Sequence, residues 1–175
     1  MKHFWQKTGA LCDLAGIYFS PVHSGTMESL QRCIRHRFPG VRQLRTRELA
    51  EWMAADAETR HPLLLDVRSK EEFEVSHLSG SHRFVSVEQV RNDLLDAAQS
   101  IVVYCSVGYR SSAVAEKLRA AGLNNVWNLE GSLFQWVNEG RQVHRGTELL
   151  RPARVYPYNR KWGQLLKPEY RATLP

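Results

Sequence analysis

The sequence predicts an α/β protein with a mostly parallel central sheet flanked by helices. Short apolar segments alternate along the chain with segments whose apolar residues recur at helical spacing. Leu63–Leu65 is apolar without alternation, which is typical of a strand covered on both faces. Ile101–Tyr104 has the same character and runs into a helical pattern. Strands linked by helices in this way form parallel sheets.

The chain is long enough for one domain with a hydrophobic core and some residues outside it. It has 175 residues, of which 43% are hydrophobic and 24% charged, ordinary values for a globular protein. We predict a basic N-terminal extension over residues 1–40, a domain over residues 41–140, and a basic, aromatic C-terminal tail over residues 141–175. Pro and Gly residues punctuate the tail, which marks the change in character after Gly140.

Two elements are expected before the first buried strand. Met27 to Ile34 is compatible with a short helix. Thr46 is expected to cap a second helix, because Glu48 lies in its first turn and Leu49 begins an apolar face. The strand Leu63–Leu65 then follows a proline.

Three Ser-x-x-Glu/Gln pairs predict the starts of later helices, at Ser69, Ser86 and Ser132. A strand is expected around residues 83–85, and another at residues 125–129. The helix after the strand Ile101–Tyr104 runs to Ala121. Gly122 is expected to end it, as glycine commonly does just past a helix.

A tight connection, Cys105 to Arg110, joins the strand Ile101–Tyr104 to that helix. Ligands of parallel sheets bind beyond the carboxyl ends of the strands, and Cys105 stands at such an end. A thiol there is close to the positive end of the following helix and to inward-pointing backbone N–H groups. Both favour the thiolate, so we predict that Cys105 is a nucleophile.

Four ordered motifs within residues 44 to 140 resemble the single-domain rhodaneses, sulfurtransferases that carry sulfur as a cysteine persulfide. They are the loop that begins at Cys105, Leu64-Leu65-Asp66-Val67-Arg68, Glu72-Phe73 with Ser76-His77-Leu78-Ser79-Gly80, and Leu129-Glu130-Gly131-Ser132 with Trp136. Ser76 stands where the family usually has glycine. Four motifs in order are more specific than one. The resemblance implies a rhodanese-like domain and a catalytic Cys105.

The loop is expected to bind negative charge. Its backbone amides can stabilise an anion without reorganising, Gly108 permits the tight turn, and the guanidinium of Arg110 suits oxyanions. We therefore predict these substrate-binding residues: Arg110, Ser106, Val107, Gly108, Tyr109 and Ser111. Asp66 and Arg68 are expected to give structural support, through a pairing of their side chains or bonds from Asp66 to loop amides.

The resemblance implies transfer of sulfane sulfur from a small anionic donor, thiosulfate or a persulfide, to cyanide, a thiol or a protein acceptor. Many members that use thiosulfate place a basic residue directly after the cysteine, where this chain has Ser106. A persulfide is therefore the favoured donor. We predict no cofactor and no metal site, since Cys33 and His36 have no second ligand pair at a suitable spacing.

Two alternative functions stay open. Related phosphatases and arsenate reductases also close their loop with arginine, although their Cys-x5-Arg loop is one residue longer than the segment from Cys105 to Arg110. A non-catalytic adaptor could instead bind a protein partner through the basic flanks. Lys and Arg outnumber Asp and Glu by six to two in residues 1–43 and by eight to two in residues 141–175.

The charge distribution also bears on other partners and on location. Residues 44–140 carry ten basic and fourteen acidic groups, which argues against a nucleic-acid footprint across the domain. The tail is expected to wrap back on its own domain, ahead of docking to a partner or binding RNA. No apolar run is long enough to span a bilayer, and three cysteines do not form a disulfide framework. We therefore expect a cytoplasmic protein that does not bind membranes.

Overall fold

The computed structural model describes residues 26–56, 60–94 and 99–173. Five strands form the central sheet in the order β1-β5-β4-β2-β3. Every neighbouring pair in this sheet is parallel. The predicted α/β architecture with a mostly parallel sheet is confirmed. The strands are β1 (Arg42–Leu44), β2 (Leu63–Asp66), β3 (His82–Arg83), β4 (Ile101–Tyr104) and β5 (Val126–Leu129).

Helices connect these strands and cover both faces of the sheet. They are α1 (Met27–Arg37), α2 (Thr46–Met53), α3 (Lys70–Val75), α4 (Val87–Gln89, continued by a π-helical segment, Val90–Leu94), α5 (Tyr109–Ala120) and α6 (Ser132–Asn138). A short antiparallel hairpin follows, formed by β6 (His144–Arg145) and β7 (Glu148–Leu149). Two 3₁₀ turns, Trp162–Leu165 and Pro168–Tyr170, lie near the end of the described chain.

The central strands β2 and β4 are buried along their whole length. This explains why their sequences are continuously apolar rather than alternating. The one hydroxyl in them, on Tyr104, accepts a hydrogen bond from the backbone N–H of Leu78 and bonds to the hydroxyl of Ser81. Parallel register places the carboxyl ends of the two strands, Asp66 and Tyr104, side by side.

One of the predicted helix starts is confirmed in full and others need correction. The hydroxyl of Ser69 accepts a hydrogen bond from the N–H of Glu72, whose carboxylate accepts one from the N–H of Ser69. Helix α2, in contrast, has Arg45 rather than Thr46 as its N-cap, and the hydroxyl of Thr46 donates to the carboxylate of Glu139.

Helix α6 is capped by Gly131 rather than by Ser132, whose hydroxyl bonds to Leu129 and to the backbone of Cys105. Ser86 does cap α4. The strand expected at residues 83–85 is instead the two-residue strand β3, displaced toward its amino end. Gly122 lies just past α5 with φ at 88°, as predicted.

Both flanks of the domain contribute to its core. Residues 1–25 of the N-terminal extension lie outside the described residues, but α1 buries Leu30 and Ile34. From the tail, Val155 and Leu166 are buried in the same core. The side chain of Asn138 holds the tail by donating to the carbonyl of Leu165 and accepting from the N–H of Lys167. Of the three interpretations of the tail, wrapping back on the domain is the one observed.

Within the described ranges, no helix has both the length and the apolar character that crossing a bilayer requires.

Candidate active site

The thiol of Cys105 lies directly beyond the carboxyl end of β4, the middle strand of the sheet. The residue is only 1% exposed. Its Sγ accepts a hydrogen bond from the backbone N–H of Gly108, at 3.1 Å, and one from the hydroxyl of Ser111, at 3.5 Å. Gly108 caps helix α5 with φ at 106°, a conformation that favours glycine. The strand therefore positions the sulfur atom, and the turn and the helix direct donors at it.

These surroundings lower the pKa of the Cys105 thiol. Burial by itself raises the pKa, because it disfavours the charged form. The positive charge of Arg110, the hydroxyl and backbone N–H of Ser111 and the N–H of Gly108 together outweigh that effect. These groups therefore favour the thiolate of Cys105 more than water favours that of a free cysteine.

The first turn of α6 binds the first two carbonyl groups of the loop. The N–H of Leu133 donates to the carbonyl of Cys105, and the N–H of Phe134 donates to the carbonyl of Ser106. Amides in the first turn of a helix have no partner within the helix, so they are available for such bonds. The hydroxyl of Ser132 accepts from the N–H of Cys105 at 3.2 Å. Helix α6 thereby orients the peptide groups that begin the loop.

Arg110 is engaged by a buried carboxylate, Glu72. Its two terminal nitrogens each donate to one oxygen of Glu72, both at 2.8 Å. One of them also donates to the hydroxyl of Ser106, which in turn donates to Glu72. The side chain of Arg110 is 18% exposed and that of Glu72 is 4% exposed. Such paired bonds fix the plane of the guanidinium.

The pair also sets the ionisation of its members. Burial raises the pKa of Glu72, but the hydrogen bonds and charge of Arg110, with help from Arg68 and the N–H of Ser69, bring it below its usual value. The pKa of Arg110 is raised by Glu72 despite burial. Both groups are therefore charged at neutral pH, and their charges compensate each other.

Asp66 and Arg68 form a fully buried ion pair beside this site. Nε of Arg68 donates to both carboxylate oxygens of Asp66, and Nη2 donates to one of them at 2.6 Å. Nη2 also donates to the carbonyl of Ser76, which ties the end of α3 to β2. The two side chains pair with each other, and Asp66 also accepts from the backbone N–H of Arg68, while their role as structural support stays a prediction.

The remaining predicted binding residues have different surroundings. Val107 is buried in the core. Tyr109 stacks edge-on against Phe38, with ring centroids 5.3 Å apart, which connects the loop to α1. From the tail, the ring of Tyr158 lies over the guanidinium of Arg110, 4.8 Å from Cζ to the ring centroid. Both flanks thus reach the loop from Cys105 to Arg110, while substrate contact by Val107 and Tyr109 stays a prediction.

Three residues of the site were not predicted as such. Glu72 belongs to a recognised motif and a capping box, but its pairing with Arg110 spans 38 positions and has no local signal. Ser132 was assigned to a cap. Tyr158 was only one of several aromatic residues in a basic tail. In the described part of the chain, no cluster of three or more His, Cys, Asp or Glu side chains could hold a metal ion.

Fold and site together define an α/β protein with a cysteine at the carboxyl end of a central parallel strand, followed at once by a helix. A family model described as "Rhodanese-like domain" matches residues 48–139. The chain belongs to this family, as the resemblance of its motifs predicted.

Two curated relatives that this chain matches are distant and longer. A tRNA uridine(34) hydroxylase of Sodalis glossinidius is 25% identical over 130 residues, 69% of this chain and 36% of that protein. The adenylyltransferase and sulfurtransferase UBA4 of Meyerozyma guilliermondii is 31% identical over 86 residues, 44% of this chain and 20% of that protein. The matched segments therefore span about a third and a fifth of the length of these two relatives.

Among solved structures, a thiosulfate sulfurtransferase from Pseudomonas aeruginosa superposes with a TM-score of 0.57 at 21% identity. The match covers 70% of this chain and 23% of that one. At this level of identity it supports the fold alone. The family as a whole is related to sulfur transfer and includes sulfurtransferases.

Proposed function

We propose that this protein is a sulfurtransferase that carries sulfane sulfur as a persulfide on Cys105. The observation that carries the proposal is the environment of Sγ, which receives hydrogen bonds from Gly108 and Ser111 and lies in the field of Arg110. A thiolate held in this way is a ready nucleophile.

The reaction consists of two sulfur transfers. In the first, the thiolate of Cys105 attacks the outer sulfur of the donor, a new S–S bond forms, and the donor's S–S bond breaks. The electron pair leaves with sulfite when the donor is thiosulfate, or with a thiolate when it is an organic persulfide. In the second, the acceptor attacks the outer sulfur of the Cys105 persulfide and restores the thiolate. The acceptor is cyanide, a small thiol or a protein thiol. Ping-pong kinetics follow from this order.

Donors around Sγ serve both steps. The N–H of Gly108 and the hydroxyl of Ser111 can stabilise the negative charge of the persulfide and of the thiolate that it returns to. Because the carbonyls of Cys105 and Ser106 are held by α6, they do not oppose that charge.

Intact-protein mass spectrometry after incubation with a donor tests the proposal. The protein is expected to gain the mass of one sulfur atom, and to lose it again on addition of cyanide. Cys105→Ser should abolish the gain. Cys33→Ser is the matched control, because Cys33 is the other described free cysteine and should be dispensable. A protein that gains no sulfur from thiosulfate or from glutathione persulfide would contradict the proposal.

The alternatives make different predictions in the same samples. A phosphatase-like enzyme would turn over an aryl phosphate in a Cys105-dependent manner without gaining sulfur. An adaptor would bind its partner through the basic flanks equally well after Cys105→Ser. A cysteine-dependent phosphatase would also use a thiolate, so the short six-residue loop is the feature that favours sulfur transfer over it. The lowered pKa of Cys105 is the feature that favours a reactive thiol over a non-catalytic adaptor.

A further inference from the structure

Tyr158 adopts a strained backbone conformation next to the site. Its φ is 64°, in the left-handed region that residues with a side chain rarely adopt. The N–H of Asn159 donates to the carbonyl of Pro157 at 2.8 Å, so Tyr158 is the central residue of a three-residue turn. Strain of this kind persists only where the surrounding structure imposes it, and it concentrates at functional sites.

The tail around Tyr158 is built to hold this turn. Pro157 is buried, and a Cβ added to Gly163 would come within 2.9 Å of its ring. The side-chain oxygen of Asn159 accepts from the N–H of Trp162, and the backbone carbonyl of Asn159 accepts from the N–H of Gly163. Tyr158 itself remains only half-buried. Its ring is therefore a partly exposed aromatic surface in a fixed position.

The charges beside that ring do not favour a dianion. Arg110 is compensated by Glu72 through two hydrogen bonds of 2.8 Å, and one face of its guanidinium is covered by the ring of Tyr158. Ser106 adds no charge, and Cys105 as a thiolate adds a negative one. Thiosulfate carries two negative charges, whereas the ionised persulfide group of an organic donor carries one. At the same distance, the thiolate therefore repels thiosulfate twice as strongly as it repels the persulfide group.

Arg160 is the nearest cation along the tail, but it belongs to another feature. It lines a cleft of about 490 Å³ together with Arg171 and Gln164, and no residue of the catalytic loop lines that cleft. Arg160 is exposed, so its field is screened by water and salt. It does not supply the charge that the site lacks.

We propose that Tyr158 is a specificity-determining residue whose ring packs against the carbon-bearing part of the donor. The site then accepts organic persulfides in preference to inorganic dianions such as thiosulfate. This inference rests on the proposed sulfurtransferase function and narrows its donor to one class. An aromatic face gains contact with an organic substituent, and it gains none with sulfite as a leaving group.

The test is the second-order rate constant for sulfur loading onto Cys105, measured with glutathione persulfide and with thiosulfate. Wild-type protein should load faster from glutathione persulfide. Tyr158→Gly removes the ring and suits the left-handed backbone. It should lower the constant for glutathione persulfide about three- to tenfold, the effect of losing one aromatic contact, and change that for thiosulfate less than about twofold.

Two further variants separate the ring from its other properties. Tyr158→Phe keeps the ring and should load like the wild type from both donors. Tyr158→Asn tolerates the left-handed conformation and replaces Tyr158→Gly if that variant does not fold. Tyr156→Ala, the matched control, removes a tyrosine ring two positions earlier in the tail and should leave the ratio of the two constants unchanged.

Each outcome has a distinct meaning. An equal fall with both donors after Tyr158→Gly would show that the ring merely holds Arg110, and would overturn the inference. Unchanged loading, or a wild-type preference for thiosulfate, would overturn it as well. In all these cases the proposed function would stand. A wild-type protein that loads from neither donor would instead overturn the proposed function.

Discussion

Replacing Glu72 by glutamine isolates the carboxylate on which the site is built. Glu72 receives two hydrogen bonds from Arg110, one from the N–H of Ser69 and one from the hydroxyl of Ser106. Glutamine has nearly the same shape, but it keeps one acceptor oxygen and turns an N–H₂ group toward the guanidinium. If the retained oxygen serves Ser69 and Nη1, then Nη2 of Arg110 faces a second donor.

The size of the effect follows from the burial of the pair. Breaking a fully buried ion pair costs about 3–5 kcal/mol, because it leaves a buried charge without a partner. Arg110 is 18% exposed, so water partly solvates the charge that remains. We therefore expect Glu72→Gln to lower the free energy of unfolding by about 2–4 kcal/mol at neutral pH.

The effect should also depend on pH. The pKa of Glu72 is lowered in the folded protein, since Arg110 more than offsets the burial of the carboxyl. Its contribution to stability is therefore complete above the pKa of the unfolded chain and is lost as the pH falls through the folded-state pKa. Glutamine does not titrate, so the difference between wild type and Glu72→Gln should shrink in acid.

Urea unfolding at neutral and at acidic pH measures the loss of unfolding free energy in Glu72→Gln and how that loss depends on pH. Glu74→Gln is the matched control, because Glu74 lies on the same helix, is 60% exposed and forms an exposed ion pair with Lys70 at 3.6 Å. It should change the free energy of unfolding by less than about 1 kcal/mol. If Glu72→Gln is no more destabilising than this control at neutral pH, the carboxylate does not hold Arg110 as argued.

Two further perturbations address the thiol and the loop that supports it. Arg110→Gln should raise the pKa of Cys105, because a positive charge that favours the thiolate is lost. The pH at which iodoacetamide alkylation of Cys105 reaches half its maximal rate should therefore rise. An unchanged pH profile would refute that role of Arg110. Gly131→Ala should destabilise the fold by more than about 2 kcal/mol in urea unfolding, because φ is 71° and the new Cβ would lie 2.5 Å from Cβ of Gln135. Gly80→Ala shares a positive φ but meets open space, so a loss as large as that of Gly131→Ala would contradict the steric explanation.

Short-range sequence patterns predicted those features of this protein that depend on residues close together in the chain. Continuous apolar segments predicted β2 and β4, because a strand buried on both faces is apolar along most of its length; Asp66 and the hydroxyl of Tyr104, at the carboxyl ends, are buried with partners. The tight turn from Cys105 to Arg110 placed the thiol at the start of α5, where its donors are backbone groups and a hydroxyl within six residues. The capping box of Ser69 and Glu72 was predicted for the same reason, because its two residues are only three positions apart.

Tertiary structure decided which distant groups meet at that thiol. The hydroxyl of Ser132 could have capped α6, but a peptide N–H of Cys105 lies within its reach only after β4 and β5 have paired. Arg110 finds Glu72 across 38 positions, and Tyr158 reaches Arg110 only because the tail is fastened to α6. When a side chain has several possible partners, tertiary packing decides which of them it contacts. The spacing of residues along the chain does not specify that packing.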